Sequence, residues 1–164
     1  MIAIEPVMKM DIKLNILKQR LEKGLSAQIH VSGDSMYPVL QENDNMSLVK
    51  ADPYRVGDVL VFYYTQYEFL VHRLLQIRDG LYYCKGDNSF RLEEVESSNI
   101  FGKVVSVCRN GNNVFLSDVD DTFINHSLQV SYEFERCGND VKNTEMYKQY
   151  FSKYISDDGL LMQS

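Results

Sequence analysis

The chain has 164 residues, of which 45% are hydrophobic and 24% charged. This composition fits one soluble domain with a real hydrophobic core. The net charge of −6 argues against a nucleic-acid binder held by a general basic field.

The sequence also argues against membrane insertion and secretion. No window approaches the roughly 18 apolar residues of a membrane span, and Glu5 and Pro6 interrupt the N-terminus where a signal peptide would be apolar. The cysteines are odd in number and match no zinc-binding spacing: Cys84, Cys108 and Cys137. We therefore expect a soluble, cytoplasmic protein with reduced thiols and with neither a metal nor a cofactor.

The N-terminal segment, residues 1–27, is predicted to be an arm followed by a helix. Residues 1–8 are expected to be a loose arm, and residues 11–23 form an amphipathic pattern with Ile12, Ile16, Leu17 and Leu21. Such a helix packs on its own domain, or its basic side contacts a membrane surface or a partner.

The middle of the chain, residues 28–117, predicts a mainly β fold. Alternating and β-branched stretches indicate about six short strands, and Asp79-Gly80 and Asn110-Gly111 are hairpin turns. We expect a compact, strongly coiled core of antiparallel strands. Residues 118–164 predict a helical appendage, whose last helix spans residues 141–155 with a cap at Asn139-Asp140. That appendage could bind a partner, cover the β core or form a dimer.

Ser35 is a candidate nucleophile in the segment Gly33-Asp34-Ser35-Met36-Tyr37-Pro38. A serine hydroxyl needs a base within hydrogen-bond reach and usually a third group that orients the base. A tight turn after a strand exposes the hydroxyl, and Gly33 permits such a turn. By itself, this segment is better explained as an ordinary turn whose serine bonds to its own backbone.

His72 and Asp87 are the candidate partners of Ser35. His72 stands in an otherwise apolar strand, where it is either a buried structural group or a general base. Asp87 stands in the turn Lys85-Gly86-Asp87-Asn88, where it bonds its own backbone or orients the imidazole. Lys85 and Lys50 are the alternative bases.

Five ordered motifs resemble the type I signal peptidase family. They lie between residues 28 and 107: VSGDSMYPVL with Asn43-Asp44, VGDVLVF at 56–62, Val71-His72-Arg73, Lys85-Gly86-Asp87-Asn88, and IFGKV at 100–104. The resemblance implies a β-rich fold shared with LexA-type self-cleaving repressors. It also implies hydrolysis of leader or signal peptides by a serine.

The resemblance assigns roles to particular residues. The His72-Arg73 pair is similar to the branch of the endoplasmic-reticulum type, which uses a histidine where the bacterial housekeeping branch has a lysine. Asp87 matches the aspartate of that branch, and a second acidic position falls on Glu93, or on Glu94 if the turn is shifted. The remaining matched positions are expected to support the site: Gly33, Asp34, Met36 and Arg73.

The resemblance implies a membrane anchor before the serine in members that process secreted proteins, and we expect this protein to lack one. We therefore expect a soluble serine endopeptidase that cleaves a leader from a precursor peptide, with Ser35 as nucleophile and His72 as base. The main alternative is a non-catalytic module that keeps the fold and binds a peptide. A LexA-like regulator that cuts itself would need a DNA-binding domain upstream and a lysine base, for which the sequence gives no sign.

Overall fold

The computed structural model describes residues 4–65, 68–116 and 118–162, with side chains from residue 12 onward. The first helix, α1, spans Ile4–Glu22. It begins earlier than predicted, so residues 4–8 of the expected arm are helical, while residues 1–3 lie outside the described residues. No helix in the described ranges is long and apolar enough to cross a bilayer.

Helix α1 packs on the sheet through a narrower stripe than the predicted one. Leu14, Leu17 and Leu21 are buried, whereas Ile12 and Ile16 are 58% and 55% exposed. Residues at spacings of three and four share one helix face, and this places Leu14 with Leu17 and Leu21. Ile12 and Ile16 lie beside that face, so they were wrongly assigned to the buried stripe.

The described residues form a central eight-stranded antiparallel sheet, which confirms the predicted mainly β class. The order is β1-β2-β7-β3-β4-β5-β6, and β8 pairs with β7. The strands are β1 Ala27–His30, β2 Asn45–Val49, β3 Val59–Thr65, β4 Glu68–Arg78, β5 Leu81–Lys85, β6 Glu93–Glu96, β7 Ile100–Arg109 and β8 Asn112–Val114.

Strand β6 was not predicted, because three of its four residues are glutamates and glutamate is depleted in strands. The strand nevertheless alternates: Glu93 and Val95 are buried, and Glu94 and Glu96 are exposed. Its pairing with β5 places Glu93 opposite Cys84. An isolated acidic run thus becomes a strand because a neighbouring strand supplies the hydrogen bonds.

The C-terminal part is helical, as predicted, but its helices begin at other caps. Helix α2 spans Asp121–Cys137, and the Asp120 carboxylate accepts a hydrogen bond from the backbone N–H of Phe123 at 2.9 Å. A 3₁₀ segment, Gly138–Asn143, occupies the start of the predicted last helix. Helix α3, Glu145–Tyr150, begins after it, where Thr144 caps the N–H of Tyr147.

A single π-helical turn, Phe151–Ile155, continues α3. Its Tyr154, together with Tyr150 of α3 and Phe123 of α2, is buried in a cluster with Leu75 of the sheet. The helical part therefore packs directly against the β core. The predicted division of the chain into an N-terminal segment, a β core and a helical appendage, with boundaries after residues 27 and 117, stays a prediction.

Candidate active site

Ser35 lies in the turn that follows edge strand β1. Gly33 has φ of +85°, a conformation that residues with a Cβ rarely adopt, so glycine is required to turn the chain there. Beyond the serine, Met36 and Leu40 are almost completely buried and join the cluster beneath α1. These two anchors hold the turn while the Ser35 side chain stays partly accessible.

His72 lies on β4, opposite Leu60 of β3, in the buried part of the strand. Its Nε2 is 3.0 Å from Ser35 Oγ, which is within hydrogen-bond distance for a general base. The ring of Phe62 meets the imidazole edge to face at 6.2 Å between centroids. The imidazole therefore packs on an aromatic ring while its Nε2 faces the serine.

Glu93 holds the other side of the imidazole. Its Oε1 is 2.6 Å from His72 Nδ1, and its Oε2 accepts from Arg91 Nε at 3.2 Å. A carboxylate at Nδ1 favours the tautomer in which Nδ1 carries the proton. Nε2 then presents its lone pair to the hydroxyl of Ser35.

Asp87 is engaged by a different partner. Both of its carboxylate oxygens accept hydrogen bonds from Arg73, at 2.9 and 2.8 Å, and both side chains are buried. Burial lowers the pKa of Arg73, but the charge and hydrogen bonds of Asp87 outweigh it, and the pKa is raised. This placement corrects the sequence-based assignment of Asp87 as the group that contacts His72.

The exchange of roles between the two acids follows from the sheet. The side chains of Arg73 and His72 point to opposite faces because they are neighbours on one strand. Asp87 therefore meets the arginine, and Glu93 meets the histidine. Glu94, the alternative acid, is exposed and accepts from the Tyr83 hydroxyl at 3.2 Å.

The loop of residues 85–88 lies against the serine turn. The N–H of Asn88 donates to the Ser35 carbonyl at 2.8 Å, and the Asn88 side chain donates to the carbonyl of Asp34 at 3.2 Å. The N–H of Asp87 approaches Met36 Sδ at 3.4 Å. Asp34 and Met36 thus support the turn through their main chain and sulfur atoms, respectively.

Gly86 is the point of closest approach in this loop. A Cβ at this position would lie 2.5 Å from the Ser35 carbonyl oxygen and 3.1 Å from His72 Nε2. No side chain fits at such distances, so glycine is required by space rather than by φ. The loop consequently contacts both Ser35 and the imidazole of His72.

Lys85, the alternative base, is completely buried on the side of the helical part. Its Nζ donates to Ser127 Oγ at 2.9 Å and to the Gly86 carbonyl at 3.2 Å. Burial lowers its pKa to about 8, although the charges of Asp87 and Glu93 oppose the shift. Because these contacts hold Lys85 in the loop, they favour His72 over a lysine as the partner of Ser35.

Sequence reasoning missed the C-terminal contacts to this loop. The Tyr150 hydroxyl donates to the Asp87 carbonyl at 2.5 Å, and Ser127 bonds to Lys85. Burial first, and then the charge of Asp87, raises the pKa of Tyr150 well above its usual value, so the hydroxyl remains a donor. The sequence predicts the last helix, but only tertiary packing shows which of its hydroxyls reaches the loop.

One pocket has Ser35 in its wall, and a second pocket adjoins the first. The first is about 200 Å³ and is lined mainly by apolar groups of β1, the serine turn and β4. The second is about 710 Å³ and extends between α1 and β1. Both include Ile29, His30 and Phe69 in their walls, so they are neighbours along the edge of the sheet.

A hydroxyl, an imidazole and a carboxylate in one hydrogen-bonded row on an antiparallel sheet define a site of the serine-peptidase type. The family model described as Peptidase S24-like matches residues 3–105, more than half of the chain, and the protein belongs to that family. No curated protein matches the chain. Membership of this family supports a serine-peptidase fold of the kind shared with LexA and signal peptidases. The finer assignment to the histidine-base signal peptidase branch, inferred from His72-Arg73, stays a prediction.

Proposed function

We propose that this protein is a serine endopeptidase in which Ser35 is the nucleophile, His72 the general base and Glu93 the residue that orients the base. The observation that carries the proposal is the row Ser35 Oγ, His72, Glu93, with separations of 3.0 and 2.6 Å. An ordinary turn serine would need neither contact.

The proposed reaction passes through an acyl-enzyme. Ser35 Oγ attacks the carbonyl carbon of the scissile peptide bond, and its proton moves to His72 Nε2. The C–N bond then breaks, and the leaving amine takes that proton. Water attacks the ester with His72 again as base, which releases the acid product and restores the serine.

Glu93 stabilises the imidazolium that forms in each step. Its carboxylate is 1% exposed, so its interaction with the ring is screened less than it would be in water. Arg91 bonds to the second oxygen of the carboxylate, and this limits its rotation. Asp87 and Arg73 neutralise each other beneath the loop and serve its structure.

The pockets support an extended peptide as substrate. The pocket of about 200 Å³ beside Ser35 suits a small apolar side chain next to the scissile bond. The neighbouring pocket accepts further apolar residues of the same segment. Together with the resemblance to signal peptidases, this favours a leader or precursor peptide, and a cytoplasmic site of action stays a prediction.

The test combines a covalent probe with peptide digestion. The purified protein is treated with a fluorophosphonate and, separately, with a diverse peptide library whose products are identified by mass spectrometry. We expect one label on Ser35 and cleavage after small apolar residues. Ser35→Ala should abolish both, whereas Ser106→Ala, at an exposed serine of β7 that lines neither pocket, should change neither.

The opposite result would favour the peptide-binding alternative. A wild-type protein that is neither labelled nor able to cleave any peptide, while it still binds some of them, is a non-catalytic module. Cleavage that persists in Ser35→Ala would assign the activity to another residue or to a contaminant.

A further inference from the structure

The helical C-terminal part, which lies beyond the matched residues 3–105, contacts the loop of residues 85–88 from below. Tyr150 of α3 donates to the Asp87 carbonyl at 2.5 Å. Ser127 of α2 accepts from Lys85 at 2.9 Å. All four of these groups belong to residues that are 2% exposed or less.

One peptide group connects these helices with the nucleophile. The Asp87 carbonyl and the Asn88 N–H belong to the same planar unit. The carbonyl accepts from the Tyr150 hydroxyl, and the N–H donates to the carbonyl of Ser35 at 2.8 Å. Because a peptide plane moves as a rigid body, fixing its oxygen also fixes the direction of its N–H.

The same loop fixes the distance between the serine and its base. Gly86 approaches both the Ser35 carbonyl and His72 Nε2 so closely that a Cβ would overlap the former. A rotation of the Asp87–Asn88 plane would therefore shift the serine turn relative to the imidazole. Displacements of about 1 Å in a catalytic geometry cost on the order of 100-fold in rate.

We propose that Tyr150 is a positioning residue for the catalytic serine. Its hydroxyl holds the Asp87–Asn88 peptide, and through it the backbone of Ser35, at the correct distance from His72. The C-terminal helices thereby complete the active site instead of serving as a separate appendage. This inference rests on the proposed peptidase function.

Tyr150→Phe is the direct test, and Tyr154→Phe is its matched control. Both tyrosines are buried and pack on Phe123, with ring centroids at 5.9 and 4.9 Å. The Tyr154 hydroxyl, however, has no hydrogen-bond partner among the described residues. Both variants therefore remove one tyrosine hydroxyl, but only Tyr150→Phe also removes a hydrogen bond to the loop.

We expect Tyr150→Phe to lower kcat and the fluorophosphonate labelling rate of Ser35 by about tenfold or more. KM should change less than about twofold, because neither Tyr150 nor Asp87 lines either of the two pockets. Tyr154→Phe should match the wild type in both. Equal activity of the two variants, or an equal loss in both, would overturn the proposal, since either result removes the role of the hydroxyl bond.

Amide hydrogen exchange gives a readout that does not require activity. The Asn88 amide should exchange at least about tenfold faster in Tyr150→Phe than in the wild type and in Tyr154→Phe. If the wild type proves inactive, the peptidase proposal fails, and unchanged Asn88 exchange would separately refute the positioning contact. Faster exchange across the whole sheet would indicate general destabilisation and would also contradict a local role.

Discussion

Lys85 is a buried cation whose removal should change how stability depends on pH. The residue is completely buried, and burial lowers its pKa from 10.5 to about 8. Below pH 8 the buried ammonium group of Lys85 is protonated in the folded protein, where the negative charges of Asp87 and Glu93 partly stabilise it. Lys85→Met replaces it with an unbranched apolar side chain of similar length.

The size of the effect follows from linkage. Between pH 8 and 10.5 the unfolded chain retains the proton of Lys85 while the folded protein has lost it, so the free energy of unfolding rises with pH. A fall in pKa from 10.5 to about 8 corresponds to about 3 kcal/mol over this window. The variant lacks this contribution, and its other titrating groups are those of the wild type.

Urea unfolding of both proteins at several pH values from 7 to 10.5 measures the difference. The stability of the wild type relative to Lys85→Met should increase by about 3 kcal/mol as the pH rises through the window. Lys50→Met, at an exposed position, controls for the loss of a lysine charge. A wild-type-minus-Lys85→Met difference that stays constant with pH would refute the claim that burial depresses this pKa.

Three further substitutions test the site. Glu93→Gln should lower kcat about tenfold or more with little change in KM, because a neutral amide stabilises the imidazolium of His72 less than a carboxylate does; an unchanged rate would remove Glu93 from the mechanism. Asp87→Asn should instead lower the free energy of unfolding by about 3–5 kcal/mol, because it leaves the buried guanidinium of Arg73 without its counter-charge. Chemical denaturation measures this loss, and an m-value near that of the wild type would show that the shift in midpoint reflects stability. Gly86→Ala should reduce the labelling rate of Ser35 by about 100-fold, because the new methyl would lie 2.5 Å from its carbonyl oxygen; full reactivity would show that the loop can move away at no cost.

The Ser35 turn and its partner strands were predictable because their signals are local. Gly33 permits the turn, and the apolar residues around His72 indicate a buried strand, so the proposed nucleophile and base could both be named from the sequence. The same local reasoning failed at β6, because its three glutamates disfavour a strand. The strand forms there through its pairing with β5. It also misplaced the cap of the last helix, since Asn139, Asp140 and Thr144 are all suitable cap residues.

The sequence by itself determined the chemistry available to this protein: a serine after a tight turn, a histidine in a buried strand and acidic residues downstream. The choice between the acids was decided only by the tertiary structure. Asp87 meets Arg73 and Glu93 meets His72 because the register of β4, β5 and β6 selects which side chains share a face. The contact between Tyr150 and the loop beside Ser35 likewise joins residues 63 positions apart, a distance in sequence that no local pattern can bridge.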